Sequence, residues 1–148
     1  MSKVAIVRSS YYEDLVSSLE AGAKKVLHEG GISEEDIEVT QVPGAFEIPL
    51  ACKRLLELRE VEGIIALGVI IQGETHHAGE IARACTDGLM HLQLKYGIPI
   101  VHEVLFVEER RHAEVRCMGE HNKGREAART LLEMLRTRPS AYSTTMSH

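Results

Sequence analysis

The sequence has few cysteines, and its histidines are not spaced for a metal. Its three cysteines, Cys52, Cys85 and Cys117, are odd in number and widely separated along 148 residues. They fit neither a disulfide framework nor a pair of zinc ligands. The eight histidines also lack the His-x-x-x-His and Cys/His spacings of zinc sites. We therefore expect a reduced protein that uses no metal.

An excess of basic residues and long apolar runs are also absent. The 17 lysines and arginines are outnumbered by 22 aspartates and glutamates, which gives a formal net charge of −5. This balance disfavours general nucleic-acid binding, which needs a clustered basic excess. No apolar run approaches the roughly 18 residues of a membrane span, and the first ten residues lack the pattern of an export signal. We expect a cytoplasmic protein that binds neither nucleic acid nor membrane.

What the chain does contain is the composition of an ordinary globular domain. Apolar residues make up 44% and charged residues 26% of the sequence, which is close to the averages of soluble folded proteins. One domain of roughly 100 to 200 residues accounts for the length. We predict that this domain covers residues 1–138 and that the polar, aperiodic segment 139–148 is a flexible tail.

Short apolar runs that are typical of strands alternate along the chain with helical patterns. The run at 63–71 is almost continuously apolar, as in a central strand covered on both faces. The alternation predicts an α/β fold: a single three-layer, flavodoxin-like domain with a mostly parallel four-stranded sheet and helices on both faces. The predicted strands are 4–7, 37–42, 63–71 and 98–107, and the predicted helices are one around 15–27 that stops at Gly30, then 47–58, 77–96, 108–115 and 123–136.

Unusual residues follow three of these strands, in the segments 9–12, 43–47 and 72–77. Ligands of such sheets bind beyond the carboxyl ends of the strands, so we expect the three segments to meet at one edge. In the third segment, Gly73 and Thr75 precede a helix, where free N–H groups, a hydroxyl and the helix dipole favour an anion such as phosphate. The alternative is that Thr75 only caps the helix.

The same segments hold candidates for proton transfer and for stacking. An imidazole titrates near about pH 6.5, so His76 or His77 can act as acid or base. Adjacent side chains at a helix start point in different directions, so at most one is expected to face a pocket; the alternative is that both are merely exposed. In a chain with 4% aromatic residues, Tyr11 and Phe46 either stack on a planar ring or fill the core. From the sequence alone, Arg116 is interpreted as solvated surface.

Four motifs together resemble the 6,7-dimethyl-8-ribityllumazine synthase family, over almost the whole chain. They are V-P-G-A-F-E-I-P at 42–49, A-L-G-V-I-I-Q-G-E-T-H-H at 66–77, G-I-P-I-V at 97–101 and N-K-G-R-E-A-A at 122–128. The resemblance implies the penultimate step of riboflavin synthesis, without a cofactor. In this step 5-amino-6-(ribitylamino)uracil condenses with 3,4-dihydroxy-2-butanone 4-phosphate through an imine, with loss of phosphate and closure of a second ring. Such a path needs an anion site, a proton shuttle and a platform for a flat ring.

The resemblance also implies a role for each matching residue. His77 corresponds to the family's acid–base residue, and Arg116 corresponds to an arginine that holds the phosphate from a neighbouring subunit. Tyr11 takes the place of an aromatic residue that stacks on the pyrimidine. His102 stands where a phenylalanine from the adjacent subunit commonly covers that ring. The other implied contacts are the phosphate-binding turn of Gly73, Glu74 and Thr75, the ribityl segment of Ala45, Phe46 and Glu47, the ring contacts of Ile70 and Ile71, and Lys123 close to the arginine's loop.

The chain departs from the family pattern at several positions. After His77 the family usually has an aromatic, an acid and another aromatic residue, whereas this chain has Ala78-Gly79-Glu80. Tyr12 replaces a frequent asparagine, and His102 replaces the phenylalanine. The stretch 117–121 is about one residue shorter than the family's turn, so Arg116 is matched across a gap. This shorter turn, and the short segment before Val4, favour a homo-oligomer that is a free pentamer or a pair of pentamers over a sixty-subunit shell.

Three other functions stay open from the sequence. The substitutions at Ala78-Gly79-Glu80 and His102 motivate a catalytically weak paralogue that binds flavin or lumazine. The archaeal type of riboflavin synthase shares the fold, but the intact G-E-T-H-H segment at 73–77 argues against it. A nucleotide-binding protein is the weakest alternative, because the chain has neither G-x-G-x-x-G nor a P-loop.

Overall fold

The computed structural model describes residues 3–139 of the chain. The predicted flexible tail, 139–148, lies outside the described residues except for Pro139. The strands are β1 (Val4–Ser9), β2 (Ile37–Val42), β3 (Gly63–Ile71) and β4 (Ile100–Val107), and the helices are α1 (Glu13–Glu29), α2 (Ile48–Leu58), α3 (Ala78–Tyr96), α4 (Arg110–Cys117) and α5 (Lys123–Arg136). Short 3-10 turns lie at Glu34–Asp36, Ala45–Glu47 and Gly119–His121.

The four strands form one sheet in the order β2-β1-β3-β4, and all three pairings are parallel. The predicted α/β fold with a mostly parallel sheet is confirmed, and every pairing in this sheet is in fact parallel. The strand order reverses between β1 and β3, which is the place where such sheets form a crevice at their carboxyl ends. Ser9, Val42, Ile71 and Val107 end the four strands at this edge.

Helices cover both faces of the sheet, and each strand buries alternate side chains in two different cores. Val4 and Ile6 pack among residues of α1, α4 and α5, whereas Ala5 and Val7 pack among residues of α2 and α3. Every residue of β3 is buried, which explains its continuous apolar sequence. The predicted three-layer arrangement follows from this double burial.

The first strand is two residues longer than the sequence pattern predicts, because it ends with a buried charge. Arg8 is only 4% exposed. Its guanidinium pairs with Glu13 at 2.5 Å and with Glu20 at 2.9 Å. A buried arginine in a strand is tolerated when carboxylates from another element neutralise it, and here α1 supplies both.

Several other boundaries differ from the prediction by one or two residues, and two of them have a visible cause. Strand β4 begins at Ile100 rather than 98, because Pro99 has no N–H to donate to a ladder. Helix α4 begins at Arg110 rather than 108, since Glu109 is extended, with φ of −135°. All three cysteines are buried free thiols, and burial raises the pKa of Cys52 to about 12. Within residues 3–139, no helix has the length and hydropathy needed to cross a membrane.

Candidate active site

The three segments that follow β1, β2 and β3 meet at the carboxyl edge of the sheet, as the topology predicts. The N–H of Ser10 donates to the carbonyl of Val42 at 2.8 Å, and the N–H of Tyr11 donates to the carbonyl of Pro43 at 3.2 Å. The hydroxyl of Tyr12 lies 3.3 Å from Oγ1 of Thr75. The first segment therefore connects the second and third segments across the crevice.

The aromatic candidates are exposed at this edge. Tyr11 is 56% exposed and Phe46 is 62% exposed, so neither fills the core and the alternative role as core residues is wrong. Phe46 lies in the 3-10 turn Ala45–Glu47, which is held by the N–H of Gly44 donating to Oε1 of Glu47 at 2.9 Å. Ala45 is buried beneath this turn. The Tyr11 ring makes an edge-to-face contact with the ring of Tyr12, with centroids 4.7 Å apart, and both exposed rings remain accessible to a planar ligand.

The backbone of the third segment differs from the sequence expectation of free N–H groups at Gly73 and Thr75. The N–H of Gly73 donates to the carbonyl of Glu108 at 3.2 Å, and those of Glu74 and Thr75 donate to the carbonyl of Ile71 at 3.0 and 2.8 Å. These bonds turn the chain sharply after β3. The N–H groups of His76 to Gly79 have no hydrogen-bond partner among the described residues. The donors open to an anion are therefore those of the first turn of α3.

Thr75 does not cap α3, so the capping alternative is wrong. His77 is the N-cap residue of this helix and makes no side-chain cap hydrogen bond. The hydroxyl of Thr75 instead lies beside the phenol of Tyr12. Burial raises the pKa of Tyr12, so the phenol keeps its proton and can donate to Thr75.

The two histidines lie together rather than apart. Their ring centroids are 4.2 Å apart at an angle of 68°, an edge-to-face contact. The reason is the backbone of His77, whose φ of 57° places it in the left-handed region. The side chain of His77 is 63% exposed, and its Nδ1 lies 3.6 Å from Oε1 of Glu80. An accessible imidazole beside a carboxylate is suited to proton transfer.

Tyr12 is a residue of this edge to which the sequence analysis gives no role. Its φ of 59° is left-handed, as at His77, and the third such non-glycine residue among those described is Arg59. Unfavourable backbone conformations of this kind concentrate at functional sites. The signal available in the sequence was the position of Tyr12 at a strand end, directly after Tyr11.

Ile70 and Ile71 reach the edge through their backbone. Both side chains are buried, at 2% and 0% exposure. The carbonyl of Ile71 accepts the two turn hydrogen bonds described above. A ligand at this edge therefore meets main-chain groups of the β3 terminus rather than the isoleucine side chains.

Arg116, His102 and Lys123 lie elsewhere in the chain. Arg116 is exposed near the end of α4, where it donates to the carbonyl of His112 at 2.9 Å. His102 is five residues before the end of β4, about 16 Å along the strand. Lys123 begins α5 and pairs with Glu126 at 3.2 Å. No hydrogen bond or ion pair within residues 3–139 joins these three residues to the strand-end segments.

Asn122, just before Lys123, explains part of the N-K-G-R-E-A-A motif in structural terms. It caps α5 by accepting from the N–H groups of Gly124 at 2.7 Å and Arg125 at 3.2 Å. Its amide donates to the carbonyls of Ser18 and Cys117, both at 2.7 Å. It therefore joins α1, α4 and α5 and fixes where α5 begins. Among the described residues, no group of three or more His, Cys, Asp or Glu side chains is arranged to hold a metal ion.

Comparison with known proteins gives one consistent result. A family model described as 6,7-dimethyl-8-ribityllumazine synthase matches residues 1–138. The chain is 42% identical to the protein of that name from Stenotrophomonas maltophilia (strain R551-3) over 135 residues, which cover 90% of this chain and 87% of the relative. Similar proteins with the same name come from Xanthomonas euvesicatoria pv. vesicatoria (strain 85-10), 42% identical with 90% and 88% coverage, and from Xanthomonas campestris pv. campestris (strain B100), 40% identical with the same coverage.

Proposed function

The chain belongs to the 6,7-dimethyl-8-ribityllumazine synthase family, and from this premise we propose how its own residues carry out the family's reaction. It is a transferase of riboflavin synthesis that condenses 5-amino-6-(ribitylamino)uracil with 3,4-dihydroxy-2-butanone 4-phosphate. The products are 6,7-dimethyl-8-ribityllumazine, phosphate and water. The observation that carries the residue assignment is the meeting of three strand-end segments beside the open first turn of α3.

The phosphate of the butanone substrate binds at the start of α3. The free N–H groups of His76 to Gly79 and the dipole of a 19-residue helix attract its charge. Gly73, Glu74 and Thr75 form the turn that presents these donors, and the Thr75 hydroxyl adds one more. Phosphate held here is positioned to leave from the carbon chain once the imine has formed.

His77 transfers the protons. The 5-amino group of the pyrimidine attacks the ketone and water leaves, which gives the imine. A proton is then removed from the carbon next to the imine as phosphate leaves, and a proton is later returned to the terminal carbon. Both transfers suit an imidazole, because its ordinary pKa lies near the pH of the cell. Ring closure by the ribitylamino nitrogen, with loss of a second water, completes the product.

The flat pyrimidine and its ribityl chain bind between the first two strand ends. Tyr11 offers an exposed ring face for stacking. The backbone at Ile70 and Ile71 contacts the other side of the ring. The segment Ala45–Glu47 holds the ribityl hydroxyls, with the carboxylate of Glu47 accepting from them.

Arg116, Lys123 and His102 act from a neighbouring copy of the chain. Within residues 3–139 no hydrogen bond or ion pair joins them to the strand-end segments, and this supports the assignment. A site shared between subunits requires at least two copies, and a head-to-tail contact that closes on itself repeats the site around a ring. The assembly is a pentamer or a pair of pentamers in the cytoplasm.

The test uses the purified protein with both substrates, following lumazine absorbance and phosphate release above the spontaneous reaction. His77→Ala and Arg116→Ala should each lose most of the acceleration. If the two residues meet across an interface, a 1:1 co-assembly of the two inactive variants regains about a quarter of the sites by random mixing. The control is a mixture of the two assembled variants under conditions in which they do not exchange subunits. If true co-assemblies of the two variants do not regain activity, both residues belong to one subunit's site, which contradicts the shared arrangement.

A catalytically weak paralogue that only binds flavin or lumazine has no specific observation in its favour. The Ala78-Gly79-Glu80 segment does not leave His77 without a partner, because Glu80 lies beside its ring.

A further inference from the structure

His102 makes two hydrogen bonds that hold both of its ring nitrogens. Its Nε2 lies 2.8 Å from Oγ1 of Thr86, a residue of α3. Its Nδ1 accepts from the N–H of Val104 at 3.4 Å. Strand β4 lies at the end of the sheet order, so it pairs with β3 alone.

These contacts determine which nitrogen carries the proton. A backbone N–H can only donate, so Nδ1 must be the acceptor in the bond with Val104. The neutral ring then carries its proton on Nε2 and donates it to the Thr86 hydroxyl. His102 is exposed on its outer side, while the packing of α3 against β4 partly desolvates the ring. This burial lowers the pKa of His102, which favours the neutral form.

The ring stands at the side of a groove between α3 and β4 with a volume of about 340 Å³. Thr86 lines this groove together with Ala82, one helical turn earlier, whose small side chain leaves room for the imidazole. The charged groups that line it are Arg83 and Asp87, both from α3. Phe106, two positions beyond Val104 on the same side of β4, is 46% exposed.

We propose that Thr86 is a positioning residue of the active site: its hydroxyl holds the plane of the His102 ring, whose neutral Nε2–H form is set by the N–H of Val104, and this ring covers the pyrimidine bound by the neighbouring subunit. The proposal rests on the proposed function, which places His102 over the substrate ring. A phenylalanine at this position has no ring nitrogen to orient, whereas an imidazole needs a partner to present one constant face. Thr86 supplies that partner from the same chain.

The experiment compares Thr86→Val, which keeps the shape and removes the hydroxyl, with Thr86→Ser, which keeps the hydroxyl. Thr130→Val is the matched control, because Thr130 also lies exposed on a helix and bonds only its own helix through the carbonyl of Glu126. The first readout is the nitrogen chemical shifts of the His102 ring in the assembled protein, assigned with His102→Gln. The second is steady-state kinetics with each substrate varied in turn.

We expect the wild type, Thr86→Ser and Thr130→Val to share one Nε2 chemical shift, and Thr86→Val to show a changed Nε2 shift while Nδ1 stays the acceptor. We expect Thr86→Val to raise KM for the pyrimidine by about threefold to tenfold, the worth of one hydrogen bond, with kcat and KM for the butanone phosphate unchanged. A general structural defect would instead change all three constants.

An unchanged Nε2 chemical shift in Thr86→Val would overturn the proposal, and so would a changed shift with an unchanged KM for the pyrimidine. A wild-type protein that does not accelerate the condensation would remove the proposed function and the positioning role together. In that case, a changed Nε2 shift in Thr86→Val would show that the contact is correct and that the function is not.

Discussion

Glu103 of β4 carries a carboxyl group whose pKa depends on burial and on charged residues of α5. It follows His102 in β4 and lies on the opposite side of the strand, with Leu105 and Val107, which pack in the core beneath α5. Burial raises the pKa of Glu103 to about 7, while the charge of Lys123 opposes and that of Glu126 adds to this shift. Near neutral pH, Glu103 therefore titrates beside a lysine that is proposed to act at the active site.

This carboxyl makes the stability of the fold depend on pH. The folded protein holds the proton of Glu103 up to a pKa of about 7, whereas the ordinary value is 4.5. The folded state therefore binds more protons between these two values, and the free energy of unfolding falls as pH rises through that window. We expect Glu103→Gln to remove this part of the pH dependence, as measured by urea unfolding at pH 5, 6, 7 and 8 at one protein concentration.

Glu35→Gln is the control for this comparison, because Glu35 is exposed in the turn Glu34–Asp36. In Glu35→Gln, the free energy of unfolding should depend on pH as it does in the wild type. If Glu103→Gln also showed the wild-type dependence on pH, Glu103 would already be ionised well below neutral pH.

At the scale of elements, α1 and α5 approach so closely that the backbone of α1 leaves no room for a side chain at Gly124. A Cβ atom added at Gly124 would lie 2.0 Å from the carbonyl oxygen of Leu19 and 2.7 Å from its carbonyl carbon. Backbone atoms cannot yield as a flexible side chain can. The absence of a side chain at Gly124 therefore sets the spacing of the two helices, and Asn122 fixes their register through the carbonyl of Ser18.

We expect Gly124→Ala to destabilise the fold by about 3 kcal/mol, since the clash forces the helices apart. Gly79→Ala is a closely matched control: Gly79 is likewise the second residue of its helix, α3, and no atom lies within 4 Å of its added Cβ. That change should be neutral or stabilise by up to about 1 kcal/mol. Thermal unfolding of both variants measures the difference. Equal unfolding temperatures would show that the helices can separate without cost.

The elements that the sequence predicts well are those whose surroundings are uniform. Strand β3 is predicted with its observed bounds because both of its faces are buried, so the apolar run alone marks it. Strand β1 is predicted too short because the burial of Arg8 depends on Glu13 and Glu20 of another element. The meeting of three strand ends follows from parallel topology. The left-handed backbone of His77, and the turn that occupies the N–H groups before it, depend on local geometry that no residue pattern encodes.

At the scale of the whole molecule, one chain carries the parts of the proposed site on separate elements. His77 lies at the carboxyl edge of the sheet, whereas Arg116 and Lys123 lie near the two ends of the connection between α4 and α5. Helix α3 connects the two features, because His77 is its N-cap residue and the helix carries exposed apolar residues farther along its length. Met90 is 52% exposed and Leu94 is 75% exposed, one turn apart. A second copy that covers this face would bury apolar surface and could complete the site in the same contact.

Placing charge on this face tests whether assembly and catalysis depend on it. We expect Met90→Glu combined with Leu94→Glu to lower the oligomer to smaller species in light scattering, because two carboxylates would be buried without partners. Synthase activity should fall with it, while the helical signal in circular dichroism stays, since neither side chain belongs to the core. Met90→Leu with Leu94→Met keeps the surface apolar and should keep both assembly and activity. If the charged variant remained fully assembled, α3 would face solvent in the oligomer. If it fell to monomers that kept full activity, Arg116 and Lys123 would have to reach the phosphate within one chain, which their positions on α4 and α5 oppose.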